Sequence, residues 1–243
     1  MKVIELVGLT KKYKKRIAVD NLSLSIEEGD FFALLGFNGA GKTTTIRMLT
    51  GLTKPTEGTA YIYGKDIIND MESIKQFINV SPQETAIAPN LTVYENLLFI
   101  ARIYGFEALK SKSKAMEMIE KFGLMDRKNE KAKKLSGGLK RRLSVALALI
   151  TEPKIVFLDE PTLGLDVRAR RELWYILNEL KGKVTIILTT HYLEEVEALA
   201  DHIAIIDNGK LKKIGTLEFL KKDTGLDKLE DIFLSLTEGG KTL

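Results

Sequence analysis

The order of hydrophobic and polar positions divides the chain into three stretches. In the first, short alternating segments are separated by charged turns, which predicts an antiparallel sheet with one face in water. Its predicted strands are residues 2–9, 17–18, 22–26 and 59–63. Residues 31–35 form an unbroken apolar run, which predicts a strand buried on both faces, and a helix is predicted over residues 42–52.

The middle stretch, roughly residues 86–150, is predicted to be a helical lobe. Thr92 and Glu95 have the spacing of a capping box, in which two side chains satisfy free backbone N–H groups at a helix start. This helix is expected to run to about residue 104, and a basic helix is expected near residues 112–122. Ser136 is predicted to cap another helix that ends near residue 150.

The last stretch alternates strands with helices, which predicts parallel strands joined by crossover helices. Asn208 and Gly209 have the sequence of a two-residue hairpin turn, so the strands that flank them should pair directly. The predicted strands are residues 155–158, 184–189, 203–206 and 211–214, and the predicted helices are residues 167–180, 192–200 and 227–236.

Composition mainly excludes classes of protein. The 243 residues, 44% of them hydrophobic, suffice for one large domain or for a domain with an inserted lobe. A net charge of +4 is too weak to indicate nucleic-acid binding, and the absence of cysteine excludes disulfides and thiolate metal sites. No stretch approaches the ~20 apolar residues of a membrane span, and the start has no apolar signal core. We therefore expect a soluble, cytosolic protein whose membrane role, if any, needs a partner.

A phosphate-binding loop is the strongest chemical signal. Gly36-Phe37-Asn38-Gly39-Ala40-Gly41-Lys42-Thr43 matches the P-loop pattern between a predicted strand and a predicted helix. Glycines let several backbone N–H groups converge on one anion, and the helix adds its positive N-terminus. We expect Lys42 to reach the terminal phosphates of ATP, Thr43 to ligate Mg²⁺, and Thr44 to lie beside them. The alternative is a glycine-rich turn that only joins strand to helix.

These patterns together predict an α/β fold class. The expected architecture is a RecA-like P-loop NTPase core with an antiparallel β subdomain and an inserted α-helical subdomain.

Two adjacent carboxylates end the predicted strand at residues 155–158. Because ligands collect at the carboxyl edge of a parallel sheet, Asp159 and Glu160 should lie beside the P-loop. Asp159 could hold Mg²⁺, and Glu160 could take a proton from the water that attacks the terminal phosphate. Both would face the cleft only if the chain begins to turn at the strand end. The alternative is a solvated strand end with two ordinary surface acids.

Leu135-Ser136-Gly137-Gly138 is a feature that generic P-loop proteins lack. Together with the P-loop and the Asp159-Glu160 strand, it resembles the signature motif of ABC (ATP-binding cassette) ATPases. A serine hydroxyl and glycine N–H groups at a helix start would form a second anion site, whereas in isolation the tetrapeptide would be an ordinary helix cap. The resemblance covers about residues 3–214 and implies an ABC ATPase domain over residues 1–220 with a short C-terminal helical extension over residues 221–243.

The resemblance implies further site residues. Tyr13 would stack on adenine, although a tyrosine in the basic turn of residues 11–16 could instead be solvated. Gln83 would touch Mg²⁺ and water, and Asp166 would lie in the loop through which two such domains meet. His191 would contact the terminal phosphate and orient water or Glu160 as a catalytic group. His202, in contrast, is interpreted as structural.

The resemblance also implies a head-to-tail pair of ATPases, either a homodimer or a heterodimer with a related chain. Each site would combine the P-loop of one copy with the Ser136-Gly137-Gly138 element of the other. ATP would then join the two copies and hydrolysis would release them. Two positions depart from the family pattern: Leu139 stands where Gln is common, and Phe37 stands where Pro is frequent.

Three further segments, residues 43–49, 140–143 and 194–201, are similar to the ATPases of multidrug, antibiotic and sodium exporters. In that group the transmembrane permease is a separate chain, so the resemblance implies a peripheral protein on the inner face of the cell membrane. Residues 83–96 would dock against the permease, with Glu84, Leu91 and Tyr94 as candidate contacts.

Three alternatives share the same motifs. A soluble ABC protein acting on ribosomes or DNA usually carries two cassettes or a long coiled coil, and this chain shows one set of motifs and no long heptad run. A nucleotide-dependent assembly factor would differ only in its partner. The third alternative, within the transport class, is the ATPase of an importer.

Overall fold

The computed structural model describes residues 1–237, so residues 238–243 of the predicted extension lie outside the described part. The described residues form ten strands and nine α-helices, together with two short 3₁₀ turns. The strands are β1 (Lys2–Tyr13), β2 (Arg16–Glu27), β3 (Phe31–Leu35), β4 (Glu57–Ile62), β5 (Lys65–Asp66), β6 (Ile78–Ser81), β7 (Ile155–Asp159), β8 (Thr185–Thr190), β9 (His202–Asp207) and β10 (Lys210–Gly215). The helices are α1 (Lys42–Leu49), α2 (Met71–Ile74), α3 (Val93–Ile103), α4 (Ala108–Lys121), α5 (Gly137–Leu149), α6 (Val167–Asn178), α7 (Leu193–Leu199), α8 (Leu217–Thr224) and α9 (Leu229–Thr237).

The strands form two sheets. The larger has the order β10-β9-β3-β8-β7-β6, and every neighbouring pair is parallel except β9 with the hairpin strand β10. The smaller is antiparallel and has the order β2-β1-β4-β5. Strands β3 and β7 are buried along their whole length, because helices or the second sheet cover both faces of the large sheet.

Two hydrophobic clusters hold these layers together. One joins residues of β1, β2 and β4 to residues of β3, β7 and helix α1, so the small sheet packs over one face of the large sheet. The other joins helices α3, α4, α5 and α6 to the opposite face. The middle stretch of the chain therefore folds as a helical lobe that remains continuous with the core, and the predicted fold class is confirmed.

Helix boundaries follow their capping residues. Thr92 caps α3 in the predicted capping box: its hydroxyl accepts from the Glu95 N–H at 3.1 Å, and the Glu95 carboxylate accepts from the Thr92 N–H at 2.7 Å. Ser136 caps α5, as predicted, by accepting from the Leu139 N–H at 3.4 Å.

Some strand and helix boundaries predicted from the sequence were wrong. Asp20 and Asn21 were expected to separate two strands, but β2 continues through them because Asn21 adopts a left-handed φ of 50° that the pairing with β1 absorbs as a register shift. Strand β1 likewise extends four residues past the predicted end at residue 9, to Tyr13. Helix α1 ends at Leu49 rather than at residue 52, because Gly51 turns left-handed with a φ of 73°.

The C-terminal helices pack on the core. Helix α9 contributes Leu229, Ile232 and Phe233 to a third hydrophobic cluster with β3 and β9. The Phe233 ring also meets the Phe37 ring of the P-loop edge-on, with centroids 4.8 Å apart. The division of the chain near residue 220 stays a prediction, and within residues 1–237 no helix is long and apolar enough to cross a membrane.

Removing the Phe233 ring tests whether α9 is part of the folding unit. Phe233 is buried, so Phe233→Ala is expected to lower the free energy of unfolding by about 3–5 kcal/mol. Phe37→Ala, whose ring is about half exposed, should cost only about 0.5–1.5 kcal/mol through the lost aromatic pair. Urea denaturation of both variants measures the difference. An unchanged midpoint for Phe233→Ala would show that α9 is not packed in the core.

Candidate active site

The loop between β3 and α1 lies against two neighbouring segments of backbone. A Cβ atom at Gly36 would lie 2.4 Å from the Ile206 carbonyl oxygen, and one at Gly41 would lie 2.4 Å from the Ala18 carbonyl oxygen. Gly41 also has a φ of 107°, which only glycine adopts without strain. Glycine is therefore required at both Gly36 and Gly41. Because the loop packs closely against this backbone, its N–H groups are held at the start of α1, where they can bind an anion.

Lys42 is held in the centre of this loop. Its ammonium donates to the carbonyl oxygens of Gly36 at 2.7 Å and Phe37 at 3.2 Å. It also lies 3.2 Å from Glu160 Oε1, and the two side chains are only 5% and 6% exposed. The ammonium is thus fixed within the loop that would surround a phosphate.

Strand β7 brings two carboxylates to the same edge of the sheet. Glu160 follows β7 with a left-handed φ of 48°, and its N–H donates to the carbonyl oxygen and hydroxyl of Thr189 at 3.0 and 3.1 Å. Asp159 Oδ1 accepts from the hydroxyls of Thr43 at 3.0 Å and Thr189 at 2.5 Å. The chain therefore turns at the strand end, and the turn lets one carboxylate meet Thr43 while the other meets Lys42.

His191 follows the neighbouring strand β8 and lies against Glu160. Its Nδ1 atom is 2.8 Å from Glu160 Oε2, but the two atoms lack the alignment of a hydrogen bond. Both atoms are buried, and neither has a hydrogen-bond partner within the described part of the chain. Buried polar atoms without a partner are rare in folded proteins, so these two indicate a place for a polar ligand.

A cavity of about 540 Å³ opens beside Glu160 and Lys42, whereas His191 lines a separate cavity with Arg170 and Tyr192. Arg16, Ala18 and Leu163 were not predicted in the cavity beside Glu160, and Arg16 also donates to the Gly39 carbonyl oxygen at 3.2 Å. The basic turn that contains Tyr13 was the available signal for Arg16. Gly36 and Ala40 are buried within the same loop. The cavity is lined by Tyr13, Arg16, Ala18, Asn38, Gly39, Gly41, Lys42, Thr43, Thr44, Gln83, Glu160 and Leu163.

Oxygen atoms suited to a hard cation meet at one side of this cavity. Thr43, Gln83 and Asp159 all line an adjoining cavity, and they offer a hydroxyl, an amide and a carboxylate oxygen. Mg²⁺ prefers oxygen ligands, keeps several waters, and takes one or two protein groups in addition to substrate phosphates. The donor set therefore fits Mg²⁺.

The signature-type residues lie elsewhere. Ser136, Gly138 and Asp166 line a different depression of about 240 Å³, and Gly137 begins helix α5 beside it. Asp166 caps α6 by accepting from the Ala169 N–H at 2.9 Å. One copy of the chain thus brings Tyr13, the P-loop, Gln83, Asp159, Glu160 and His191 together and leaves Ser136, Gly137, Gly138 and Asp166 apart from them.

A buried carboxyl group lies close behind the site. Glu195 on α7 is fully buried, and its Oε1 atom accepts from the indole N–H of Trp174 at 3.2 Å. Burial raises the pKa of Glu195, and the neighbouring negative charge of Glu160 adds to the increase. Glu195 was not predicted as a buried group, because it lies within an acidic segment whose pattern is typical of a solvated helix face. His202, interpreted as structural, pairs with Asp30 at 3.0 Å at the amino end of β3.

Comparison with known proteins agrees with this geometry. The ABC transporter family profile matches residues 19–163, which hold the P-loop, the signature-type motif and the Asp159-Glu160 strand end. The daunorubicin/doxorubicin resistance ATP-binding protein DrrA of Streptomyces peucetius is 41% identical over 229 residues, covering 94% of this chain and 69% of DrrA. The chain belongs to the ABC transporter ATPase family. It is an ATP-binding, ATP-hydrolysing domain.

Other relatives of this ABC ATPase are much longer. The human phospholipid-transporting ATPase ABCA3 is 44% identical over 212 residues, but the chain spans only 12% of its length. Among solved structures, the ATP-binding subunit of an ABC transporter superposes with a TM-score of 0.86 at 30% identity, covering 96% of this chain and 99% of that one. A dimeric, post-hydrolysis structure of the cassette MJ0796 with ADP and Pi gives a TM-score of 0.80 at 27% identity, covering 88% and 98%.

The raised pKa of Glu195 gives the ABC ATPase a testable pH dependence. A carboxyl whose pKa is higher in the folded than in the unfolded protein destabilises the fold once the pH exceeds the unfolded value. Glu195→Gln keeps an acceptor for Trp174 and removes the charge, so it is expected to raise the melting temperature at pH 8 by about 2–4 °C per kcal/mol gained. The difference from the unchanged protein should shrink as the pH falls toward about 4.

Calorimetric scans between pH 4 and pH 8 measure this trend. A Glu194→Gln variant, which alters the adjacent exposed carboxylate, is the matched control and should change the melting temperature little at any pH. A stabilisation by Glu195→Gln that is equal at both ends of the range would contradict the raised pKa.

Proposed function

We propose that this chain is the ATP-hydrolysing subunit of an ABC exporter whose transmembrane permease is a separate chain. One observation carries the hydrolytic part: Glu160 Oε2 and His191 Nδ1 lie 2.8 Å apart and are buried, and neither has a hydrogen-bond partner among residues 1–237. Glu160 lines the 540 Å³ cavity together with Lys42. A water bound between Glu160, His191 and a terminal phosphate would satisfy both side-chain atoms.

Binding of ATP is assigned to the cavity wall. The exposed Tyr13 ring would stack on adenine, because it lies at the rim of the cavity. The loop N–H groups from Gly36 to Gly41 and the side chains of Lys42 and Thr44 would hold the phosphates. Mg²⁺ held by Thr43, Asp159 and Gln83 would neutralise charge that develops on the phosphate oxygens.

Hydrolysis is assigned to Glu160 and His191. Glu160 would accept the proton of the attacking water, since its carboxylate is fixed by Lys42 on one side and approached by His191 on the other. His191, about a quarter exposed, would bridge from Glu160 toward the terminal phosphate and orient the water. Gln83 lines both the nucleotide cavity and the adjoining cavity, so it could sense the same water and the metal.

A second copy would complete the site. Ser136, Gly137 and Gly138 are accessible at the surface, and the Ser136 cap and the start of α5 form an anion-binding helix terminus. In a head-to-tail pair they would contact the phosphates bound by the partner copy, and Asp166 would lie at the junction. The MJ0796 cassette, which is a dimer with ADP and Pi, supports this arrangement.

Export is supported by similarity to DrrA, which is named as a drug-resistance ATP-binding protein. The permease would dock near residues 83–96 and hold the subunit at the inner face of the cell membrane. Glu84 is exposed and lines the adjoining cavity that also holds Thr43, Gln83 and Asp159. Leu91 and Tyr94 are half-buried, and Tyr94 packs against the helical lobe, so Glu84 is the most accessible of the three candidates.

Glu160→Gln tests the hydrolytic role. The amide keeps the shape of the side chain but cannot accept the proton, so turnover is expected to fall about 100-fold or more while ATP still binds. With Mg-ATP the variant should accumulate as a dimer in size-exclusion chromatography. Adding Ser136→Arg to this variant is the control: the dimer should be lost and ATP binding by the monomer retained. Full turnover by Glu160→Gln would remove Glu160 from the proposed role.

Affinity capture tests the transport role. Tagged Glu160→Gln with Mg-ATP is expected to recover a polytopic membrane protein from native detergent-solubilised membranes, identified by mass spectrometry. A matched bait that also carries Glu84→Arg should still form the dimer but recover less of the membrane protein. Recovery of ribosomal, chromosomal or cluster-assembly proteins instead would contradict the exporter proposal and leave the ATPase assignment in place.

A further inference from the structure

Arg141 is a buried, charged residue whose side-chain hydrogen bonds all go to backbone segments of the active site. It lies on α5, five residues after Ser136, and its side chain is 4% exposed. Its guanidinium donates to four backbone carbonyl oxygens: Nε to Pro161 at 2.7 Å, Nη2 to Asp159 at 2.7 Å, and Nη1 to Pro82 at 2.5 Å and Gln83 at 3.3 Å.

Two of these carbonyl groups belong to the residues on either side of Glu160. Glu160 has a left-handed φ of 48°, a conformation that is strained for a residue with a Cβ atom. Strained conformations persist only where the surroundings fix them from several directions. Arg141 binds the carbonyl oxygens of Asp159, just before Glu160, and of Pro161, just after it, so it holds the turn that directs the Glu160 carboxylate toward Lys42.

The other two carbonyl groups belong to Pro82 and Gln83, which follow strand β6. The planar, forked guanidinium can therefore fix two chain segments at once, the Gln83 segment and the Glu160 turn. Because Arg141 itself belongs to α5, a shift of α5 relative to the sheet must either move both segments or break these hydrogen bonds. The same helix begins at Ser136.

Stability alone does not account for a guanidinium at this position. Burial lowers the pKa of Arg141 to about 10, and the charges of Asp159, Glu195 and Glu160 offset this effect only in part. The next residue, Arg142, has the usual partner of a poorly exposed arginine, because it forms an ion pair with the Glu172 carboxylate on α6. Arg141 instead donates its hydrogen bonds to backbone carbonyl oxygens. An apolar side chain of similar size would fill the same space without burying a charge.

We propose that Arg141 is a positioning residue that links the placement of helix α5 to the placement of Gln83 and Glu160. Hydrolysis then depends on Arg141, whereas binding of ATP by the P-loop does not. This inference rests on the proposed roles of Glu160 and Gln83, and it adds a connection between the Ser136 end of α5 and the hydrolytic groups of the same copy.

The test separates hydrolysis from binding in three variants. Arg141→Lys keeps the charge on a single point donor, Arg141→Gln keeps a neutral donor, and Arg141→Met keeps only the volume. We expect kcat to fall in that order, reaching about 100-fold in Arg141→Met, because small misplacement of a catalytic group costs about this much. KM for ATP and the calorimetric Kd should change less than about threefold. If Arg141→Met does not fold, the Lys and Gln variants carry the same comparison.

Ser111→Ala controls for lost stability. The buried Ser111 hydroxyl donates to the carbonyl oxygens of Phe106 at 3.0 Å and Glu107 at 2.9 Å in the helical lobe, away from the active site. Its removal should lower the melting temperature and leave kcat unchanged. An equal loss of kcat in Ser111→Ala, or a loss of ATP affinity in Arg141→Lys equal to its loss of kcat, would show that Arg141 is only structural.

A double-mutant cycle with Glu160→Gln decides whether Arg141 acts through Glu160. In single-turnover assays, Arg141→Lys is expected to slow hydrolysis about tenfold in the unchanged protein but less than about threefold in the Glu160→Gln background. Equal effects in both backgrounds would overturn the positioning proposal. Unchanged hydrolysis by Glu160→Gln alone would instead refute the proposed role of Glu160, so the two failures are distinguishable.

Discussion

The buried ion pair between Lys42 and Glu160 joins the two halves of the active site. The charges lie 3.2 Å apart with almost no access to water, and two P-loop carbonyl oxygens accept further hydrogen bonds from the ammonium. Removal of one partner from such a pair typically costs about 3–5 kcal/mol, because the other charge is left uncompensated. The P-loop and the end of β7 therefore cannot separate freely. A phosphate that binds Lys42 becomes a neighbour of Glu160 through the same ammonium.

The rest of the core keeps that pair in place through hydrogen bonds to the backbone around Glu160. The Glu160 N–H donates to Thr189 of β8, and the carbonyl oxygens of Asp159 and Pro161 accept from Arg141 of α5. Thr189 also donates to the Asp159 carboxylate, so one threonine binds the Asp159 side chain and the Glu160 backbone. Strands β7 and β8 and helix α5 thus converge on one peptide turn. The parallel sheet supplies the position and the hydrogen bonds supply the orientation.

Features that depend on a few neighbouring residues could be predicted from the sequence, whereas contacts between distant residues could not. The P-loop, the Thr92–Glu95 capping box and the hairpin turn after β9 are each specified within a few residues, and they fold as predicted. The β2 strand was missed at Asp20 and Asn21 because its pairing with β1 overrides the local turn preference. The role of Arg141 was not predictable, because its acceptors are backbone carbonyl groups, which every residue type carries. The Phe37–Phe233 contact was not predictable either, because the two residues are far apart in the sequence and meet only after folding. The candidate site residues could therefore be predicted from the sequence, but the residues that hold them in position could not.

The hydrogen bond from Trp174 to Glu195 has an optical consequence. Trp174 is the single tryptophan of the chain, and the guanidinium carbon of Arg170 lies 6.0 Å from its ring and 4.9 Å from that of Tyr192, the residue after His191. Indole emission responds to nearby charge and to the strength of the bond that its N–H donates. The tryptophan fluorescence of this protein thus arises at one residue, which Arg170 and Glu195 connect to the segment that follows His191, so the molecule has a built-in spectroscopic reporter of that segment.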